Sequence, residues 1–158
     1  MPKASKRARS KQTVQPQYFI FDIGEIRPTY ILSVDHDRYR ESSYSEHAGI
    51  EFQAVCVFPK RLTGRSVLFN LAGQRGCLTP EAFKRDSSWK PRCVGALEIR
   101  PDRGLFYSAV PHESLPFLTT LFVHGEVRFV VLYGEPLSRG KSLCSSVQLE
   151  KAVNLEDY

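Results

Sequence analysis

The residues of this sequence best suited to chemistry are basic side chains that occur in clusters. Five of them stand in the first twelve positions with no acidic residue among them. They are Lys3, Lys6, Arg7, Arg9 and Lys11. Lysine and arginine neutralise phosphates, so such a leader is typical of an arm that grips nucleic acid, although it is equally typical of a leader that only improves solubility.

A second cluster surrounds the single tryptophan, Trp89, in a long irregular stretch. Its basic members are Arg75, Lys84, Arg85, Lys90 and Arg92, and a smaller group, Lys60, Arg61 and Arg65, flanks another loop. Cations next to an exposed aromatic ring suit a nucleic-acid strand, because phosphates pair with the cations and bases stack on the ring. We favour the other interpretation, an ordinary solvated loop that Trp89 and Phe83 pin to the core.

Metal-ligating and acid–base residue types gather at Asp35, His36 and Asp37, with Glu46 and His47 further along. A metal site needs three or four converging ligands, and no helical spacing places His36 and His47 on one face. We therefore expect a solvated loop here, with no metal, no cofactor and no assigned catalytic residue.

Two glycine-containing segments resemble phosphate- or RNA-binding loops and depart from both patterns. Five residues separate Gly134 from Gly140 before Lys141 and Ser142, whereas a Walker A loop has four and leads into a helix. The spacing of Gly73 and Gly76 matches a G-x-x-G loop, but that loop joins two helices and a strand-like run precedes Gly73. We interpret the first segment as a hairpin loop and the second as a turn.

The four cysteines, Cys56, Cys77, Cys93 and Cys144, contain no C-x-x-C pair. This spacing indicates neither a zinc ribbon nor a redox motif. We expect free thiols, with Cys56 and Cys144 packed as small apolar residues, and leave a disulfide between distant positions open.

One principal helix is predicted after Ser114, because Leu115, Leu118, Leu121 and Phe122 share a face at helical spacing. Ser114 is expected to cap its N-terminus and Pro116 to fall in its first turn. His124 and Gly125 are expected to end it after about three turns.

Most of the remaining chain predicts strands. Gln17 to Ile26 and Thr29 to Asp35 are read as two strands broken at Arg27 and Pro28, followed by a loop to Gly49. Further strands are expected at Ile50 to Phe58, Arg65 to Leu71, Val94 to Arg100, Gly104 to Val110, Glu126 to Tyr133 and Ser142 to Lys151. A type I turn with Gly104 at positive φ is favoured by Pro101, Asp102 and Arg103. A short helical segment is predicted from Thr79 to Arg85.

Nearly all of the connections are too short for parallel crossovers. We therefore predict an α+β fold: a single domain with a bent, mainly antiparallel sheet of about eight strands and one principal helix packed on it. The domain should span residues 17–158, preceded by a disordered basic tail at 1–16.

The charge of the chain resides in its leader, since 17 basic and 17 acidic residues remain after the first twelve positions. A dedicated nucleic-acid domain usually carries basic charge on its folded surface as well. With no apolar run of membrane-spanning length and no signal-peptide segment, we expect a soluble cytoplasmic protein.

The sequence therefore favours a non-enzymatic binding or adaptor protein that docks onto a protein partner, such as an inhibitor or immunity-type module. One alternative is a nucleic-acid-binding accessory protein that uses the tail and the basic residues near Trp89. The other is an enzyme with a site near His36 and His47. No membrane contact is expected, and the oligomeric state is not predicted.

Overall fold

Seven strands form a closed barrel in the computed structural model, which describes residues 15–34, 44–75 and 93–158. The strands are β1 (Gln17–Val34), β2 (Tyr44–Phe58), β3 (Ser66–Gln74), β4 (Gly95–Ile99), β5 (Gly104–Pro111), β6 (Phe129–Gly134) and β7 (Lys141–Glu150). Around the barrel their order is β1-β2-β3-β5-β4-β7-β6. The single, mostly antiparallel sheet domain is confirmed. The expectation of about eight strands in a bent sheet is wrong, because the described residues form seven strands and β6 returns to pair with β1, which closes the sheet into a barrel.

Period-two alternation in the strands fills the barrel with side chains. In β2, Ile50, Phe52, Ala54 and Cys56 are all buried, as their spacing predicts. The ring of Phe69 lies at the centre of the core, 4.9 Å from the ring of Phe52. The rings of Phe21 and Phe106 lie 5.0 Å from it on other sides. Aromatic packing of this kind holds the opposite walls of the barrel together.

One pair of neighbouring strands, β3 and β5, runs parallel in a sheet that is otherwise antiparallel. The long connection from β3 to β4 allows this, because β4 and β5 then form an antiparallel hairpin whose second strand lies beside β3. The β4–β5 hairpin is confirmed, but Gly104 has no positive φ. A side chain there would meet the Ser66 carbonyl oxygen at 2.6 Å, so glycine serves the close approach of β3 and β5.

Strand β1 is continuous through Pro28, so the predicted break at Arg27 and Pro28 is wrong. Strand β6 pairs with Gln17 to Asp22, so beyond Asp22 strand β1 is an edge strand that pairs with β2 alone. Strand β3 accompanies β2 as far as Gly49, and beyond that point β1 and β2 extend as a two-stranded arm. Proline is tolerated at position 28 because an edge strand need not donate a hydrogen bond on its outer side. The loop predicted up to Gly49 is also too long, since β2 already begins at Tyr44.

The helix, here called α1 (Leu115–Val123), lies across the end of the barrel from which the arm extends, and its Phe122 ring is 5.4 Å from that of Phe52. Its predicted end is confirmed, because Gly125 has a φ of 67° and its N–H bonds to the Phe122 carbonyl. Ser114 is the N-cap residue and Pro116 lies in the first turn, as predicted, but the expected capping bond is missing: a 3-10 turn, His112–Ser114, leads into the helix and the Ser114 side chain makes no capping hydrogen bond. No helix among the described residues is both long enough and apolar enough to cross a membrane.

Close packing holds α1 on the barrel. A methyl group added at Gly73 would lie 2.5 Å from Cδ1 of Leu115 and 3.0 Å from the Ala48 carbonyl oxygen. Because no side chain fits between these atoms, Gly73 is explained by the docking of the helix.

Three of the cysteines lie in the described part of the chain, and all three are free thiols. Cys56 and Cys144 are buried in the barrel core, as predicted. Burial raises the pKa of each of these two thiols to about 11. Cys77 falls outside the described residues.

Candidate nucleic-acid interface

The strand directions bring three loops and the start of β1 to one end of the barrel. Strands β2, β4 and β6 end there, and β1, β3, β5 and β7 begin there. The loops are residues 59–65, 100–103 and 135–140. We call this end the basic end. Helix α1 follows the last residue of β5 and therefore lies at the opposite end.

Side-chain and backbone hydrogen bonds connect the parts of the basic end into one surface. Arg61 donates to Oε1 of Gln17 at 2.8 Å, Arg65 to the Pro101 carbonyl at 3.2 Å, and the Ile99 N–H to the Gly140 carbonyl at 2.8 Å. Each bond joins a different pair of segments. The charges that these loops carry are therefore held near one another.

The charge at this end is predominantly positive. In the three loops and the strand residues next to them, seven basic residues stand against three acidic ones, a net charge of +4 that does not include Glu156 and Asp157 of the C-terminal segment. The basic residues are Lys60, Arg61, Arg65, Arg100, Arg103, Arg139 and Lys141, and the acidic ones are Glu98, Asp102 and Glu135. All except Glu98 are exposed. Such a surface attracts polyanions from a distance.

Glu98 is the acidic residue that neutralises part of this surface. Its carboxylate forms ion pairs with Arg100 and with Lys141, the latter at 3.7 Å. Burial acts to raise its pKa, but the hydrogen bond from Arg100 and the neighbouring positive charges outweigh burial and lower the pKa. Glu98 therefore stays ionised and holds two of the cations in place.

Arg139 occupies an unfavourable backbone conformation at the tip of the β6–β7 hairpin. Its φ is 50° and that of Gly140 is 79°, while Ser138 and Lys141 exchange hydrogen bonds of 2.8 and 2.9 Å. These values define a type I′ turn, whose first central position favours asparagine, aspartate or glycine. An arginine at this position presents its guanidinium at the basic end at a cost in backbone energy.

Three tyrosines form a cluster on the outer wall of the barrel, at the rim of the basic end. The ring of Tyr18 lies 4.7 Å from that of Tyr133 and 4.9 Å from that of Tyr158. Tyr18 directly follows Gln17, the residue that Arg61 contacts. Aromatic rings and cations thus lie side by side where the N-terminal tail joins the barrel.

The structure separates the basic residues that the sequence grouped as nucleic-acid-binding candidates. Arg75 follows the end of β3 and so lies at the end opposite to the basic end. Most of the predicted tail and the short helix predicted at Thr79 to Arg85 fall outside the described residues. The candidate residues in these two segments fall outside them as well: Lys3, Lys6, Arg7, Arg9 and Lys11 in the tail, and Lys84, Arg85, Trp89, Lys90 and Arg92 in the loop. The tail nevertheless joins the barrel at Gln17, on the basic end.

Sequence reasoning singled out Lys60, Arg61 and Arg65 but missed the other cations of the basic end. The missed residues are Arg100, Arg103, Arg139 and Lys141. A signal for them existed, because every second loop of an up-and-down run of strands falls at the same end of a sheet. Each missed residue lies in or next to a loop that this rule would have placed there.

The other candidate motifs have structural explanations or lie outside the described residues. The segment from Gly134 to Ser142 is the hairpin connection between β6 and β7, as predicted. The turn predicted at Gly73 is wrong, because Gly73 lies within β3, and Gly76 falls outside the described residues. His47 lies in β2 opposite Ile31, whereas Asp35, His36 and Asp37 fall outside the described residues. Within the described ranges, no group of three or more His, Cys, Asp or Glu residues could hold a metal ion.

Comparison with known proteins gives no relative for this chain. No protein-family model matches it, and no match was found among curated proteins or among solved structures.

Proposed function

We propose that this protein binds nucleic acid, with the basic end of the barrel and the N-terminal tail acting as one surface. The observation that supports this most is the net positive charge on three loops at the end where the tail joins the barrel. The net charge of the folded body is close to zero, which favoured a protein partner, but this net charge is an average over the whole surface. The basic residues concentrate at one end, so a phosphate backbone meets a folded basic surface as well as a tail.

The mechanism is neutralisation of phosphates, with release of the counterions that accompany them. Arg61, Arg65 and Lys60 come from a loop without acidic residues, so no internal carboxylate competes with a phosphate in that loop. The tail adds five cations from the first twelve residues. Both contributions make the affinity depend steeply on salt.

The test is a fluorescence-anisotropy titration with labelled oligonucleotides at 50 and 200 mM salt. A triple variant, Lys60→Gln/Arg61→Gln/Arg65→Gln, should reduce the log–log salt slope by about 2 to 3, and deletion of residues 1–12 by roughly 3.5 to 4.5. The matched control is Arg27→Gln/Arg128→Gln/Lys151→Gln, which removes three cations paired with Glu25, Asp22 and Glu126 away from the basic end. The control should keep the wild-type slope.

Two results would overturn the proposal. The first is the absence of binding at low salt. The second is an equal loss of affinity in both triple variants, because that would indicate attraction to net charge without a defined surface.

A protein partner is the second candidate, favoured by an apolar patch on the outer wall of the barrel. Tyr107 and Leu143 are 50% and 41% exposed and lie in one row across β5, β4 and β7, with Ala96 between them. Val94 and Leu105, which are also exposed, flank that row. Adjoining exposed apolar side chains suit a protein with a flat apolar surface.

This candidate is tested by copurification. A stoichiometric protein held by the wild type and lost from Tyr107→Ser/Leu143→Ser, but retained by the basic-end triple variant, would support it. Retention by all three proteins would exclude the patch. The enzymatic alternative stays a prediction, since its residues around His36 lie outside the described part of the chain.

A further inference from the structure

We infer that the ligand of the basic end is single-stranded nucleic acid, whose bases stack on the cluster of Tyr18, Tyr133 and Tyr158. This inference rests on the proposed function and specifies which form of nucleic acid the surface recognises.

The first step concerns the position of the rings. Tyr18 and Tyr133 face each other across β1 and β6, one residue from the ends of those strands at the basic end. The ring of Tyr158 stands edge-on to Tyr18, with planes inclined at 71°, and is 36% exposed. Part of the aromatic surface is thus open to solvent beside the loops that carry the cations.

The second step concerns the path of the nucleic-acid strand across this surface. Arg61 bonds to Gln17, the neighbour of Tyr18, so cations lie on one side of the cluster. Glu156 and Asp157 precede Tyr158 and place negative charge on the side of the C-terminal segment. Phosphates are therefore expected to run along Lys60 and Arg61, with the bases turned toward the tyrosines.

The third step concerns duplexes. Bases can stack on side chains only when they are unpaired, and every base has a π face, so stacking of this kind suits single strands of many sequences. The major groove of a DNA duplex admits an α-helix, but helix α1 lies at the end of the barrel opposite to the cations. The tyrosine cluster thus offers stacking contacts that a single strand can use and a duplex cannot, whereas the cations can contact the phosphates of either.

The closing experiment measures the affinities of wild type and variants for rU12, dT12 and a 12-base-pair duplex at one salt concentration. The wild type should bind at least one single strand about tenfold more tightly than the duplex. Tyr158→Ala and Tyr133→Leu should each weaken single-strand binding about tenfold, whereas Tyr158→Phe and Tyr133→Phe should retain it because the ring remains. Tyr158→Ala changes an exposed residue and covers the case in which Tyr133→Leu disturbs the fold.

Photocrosslinking provides a readout that does not depend on substitution. An oligonucleotide containing 5-iodouridine should crosslink to peptides that contain Tyr18, Tyr133 or Tyr158, as identified by mass spectrometry. Equal affinity for single strand and duplex, with no effect of the tyrosine variants, would overturn this inference while leaving salt-dependent binding intact. Failure of every oligonucleotide to bind would instead overturn the proposed function.

Discussion

The guanidinium of Arg61 donates a 2.8 Å hydrogen bond to Oε1 of Gln17, the first residue of β1. The bond joins the β2–β3 loop to the point at which the tail enters the barrel. Both residues lie at the surface, where such a bond contributes little to stability. Its consequence is positional, because it fixes the root of a cationic tail beside a cationic loop.

The first prediction separates the charge of Arg61 from its bond to Gln17. Arg61→Gln should reduce the salt slope of nucleic-acid binding by about 0.7 to 0.9, since one phosphate contact is lost. Gln17→Ala removes the bond but keeps the charge, so its slope should match that of the wild type. Both changes should alter the free energy of unfolding by less than about 0.5 kcal/mol. Equal slopes for Arg61→Gln and the wild type would remove Arg61 from the interface.

The second prediction is that replacing Arg139 increases the stability of the fold and weakens nucleic-acid binding. Asparagine adopts a φ of 50° more readily than arginine, so Arg139→Asn should raise the free energy of unfolding by about 0.5 to 1 kcal/mol. The same change should lower nucleic-acid affinity and its salt slope, because a cation is lost. Arg103→Asn is the matched control: it removes the same charge at a position without positive φ, so it should weaken binding without the gain in stability. Urea denaturation and anisotropy titration measure the two effects.

The fold was predictable from the sequence where local pattern decides it. The alternation of β2 around Phe52, the hairpin at Pro101 and the end of α1 at Gly125 all depend on neighbouring residues, and each is confirmed. The closure between β1 and β6 and the parallel pairing of Leu68 with Leu105 join residues far apart in the chain. No local pattern encodes such pairings, which are selected by packing of the whole core.

The candidate site was partly predictable for the same reason. Lys60, Arg61 and Arg65 stood out because they are consecutive or nearly so, whereas Arg139 is brought to the same end by pairings between strands that are far apart in the chain. Pro28 illustrates the opposite error. Its effect on β1 depends on whether a neighbouring strand needs an N–H donor at that position, and the sequence does not show that the pairing with β6 stops at Asp22.

The third prediction concerns pH. The pKa of Glu98 is lowered from its ordinary value of 4.5 in the folded protein, so its ionised form stabilises the fold above that pH, and this contribution is lost as the pH falls through the folded pKa. The free energy of unfolding of the wild type should therefore decline below about pH 4.5, and that of Glu98→Gln should decline less. Arg100→Gln, which removes the hydrogen-bond donor of the pair, should reduce the decline in the same way. Denaturation curves from pH 6 to pH 3 measure it, and superimposable pH profiles for all three proteins would contradict it.

The fourth prediction concerns thiol reactivity. Because burial raises the pKa of Cys56 and Cys144 to about 11, neither thiol should form an appreciable amount of thiolate at pH 8. In a Cys77→Ser/Cys93→Ser variant, the two remaining thiols should react with a disulfide reagent only at the rate of unfolding, and both should react at once in denaturant. Rapid reaction of either thiol in the folded variant would show that the barrel core opens locally.

The fifth prediction tests whether α1 serves the fold and not the interface. Phe122 is 5% exposed and packs near Phe52, whereas Phe117, on the same helix, is 65% exposed. Phe122→Ala should therefore lower the free energy of unfolding by about 3 to 5 kcal/mol, and Phe117→Ala by less than about 0.5 kcal/mol. Because the helix lies at the end of the barrel away from the cations, the folded fraction of each variant should bind nucleic acid with wild-type affinity. A loss of affinity in Phe117→Ala, with stability intact, would instead place part of the binding surface on the helix and require the ligand to span both ends of the barrel.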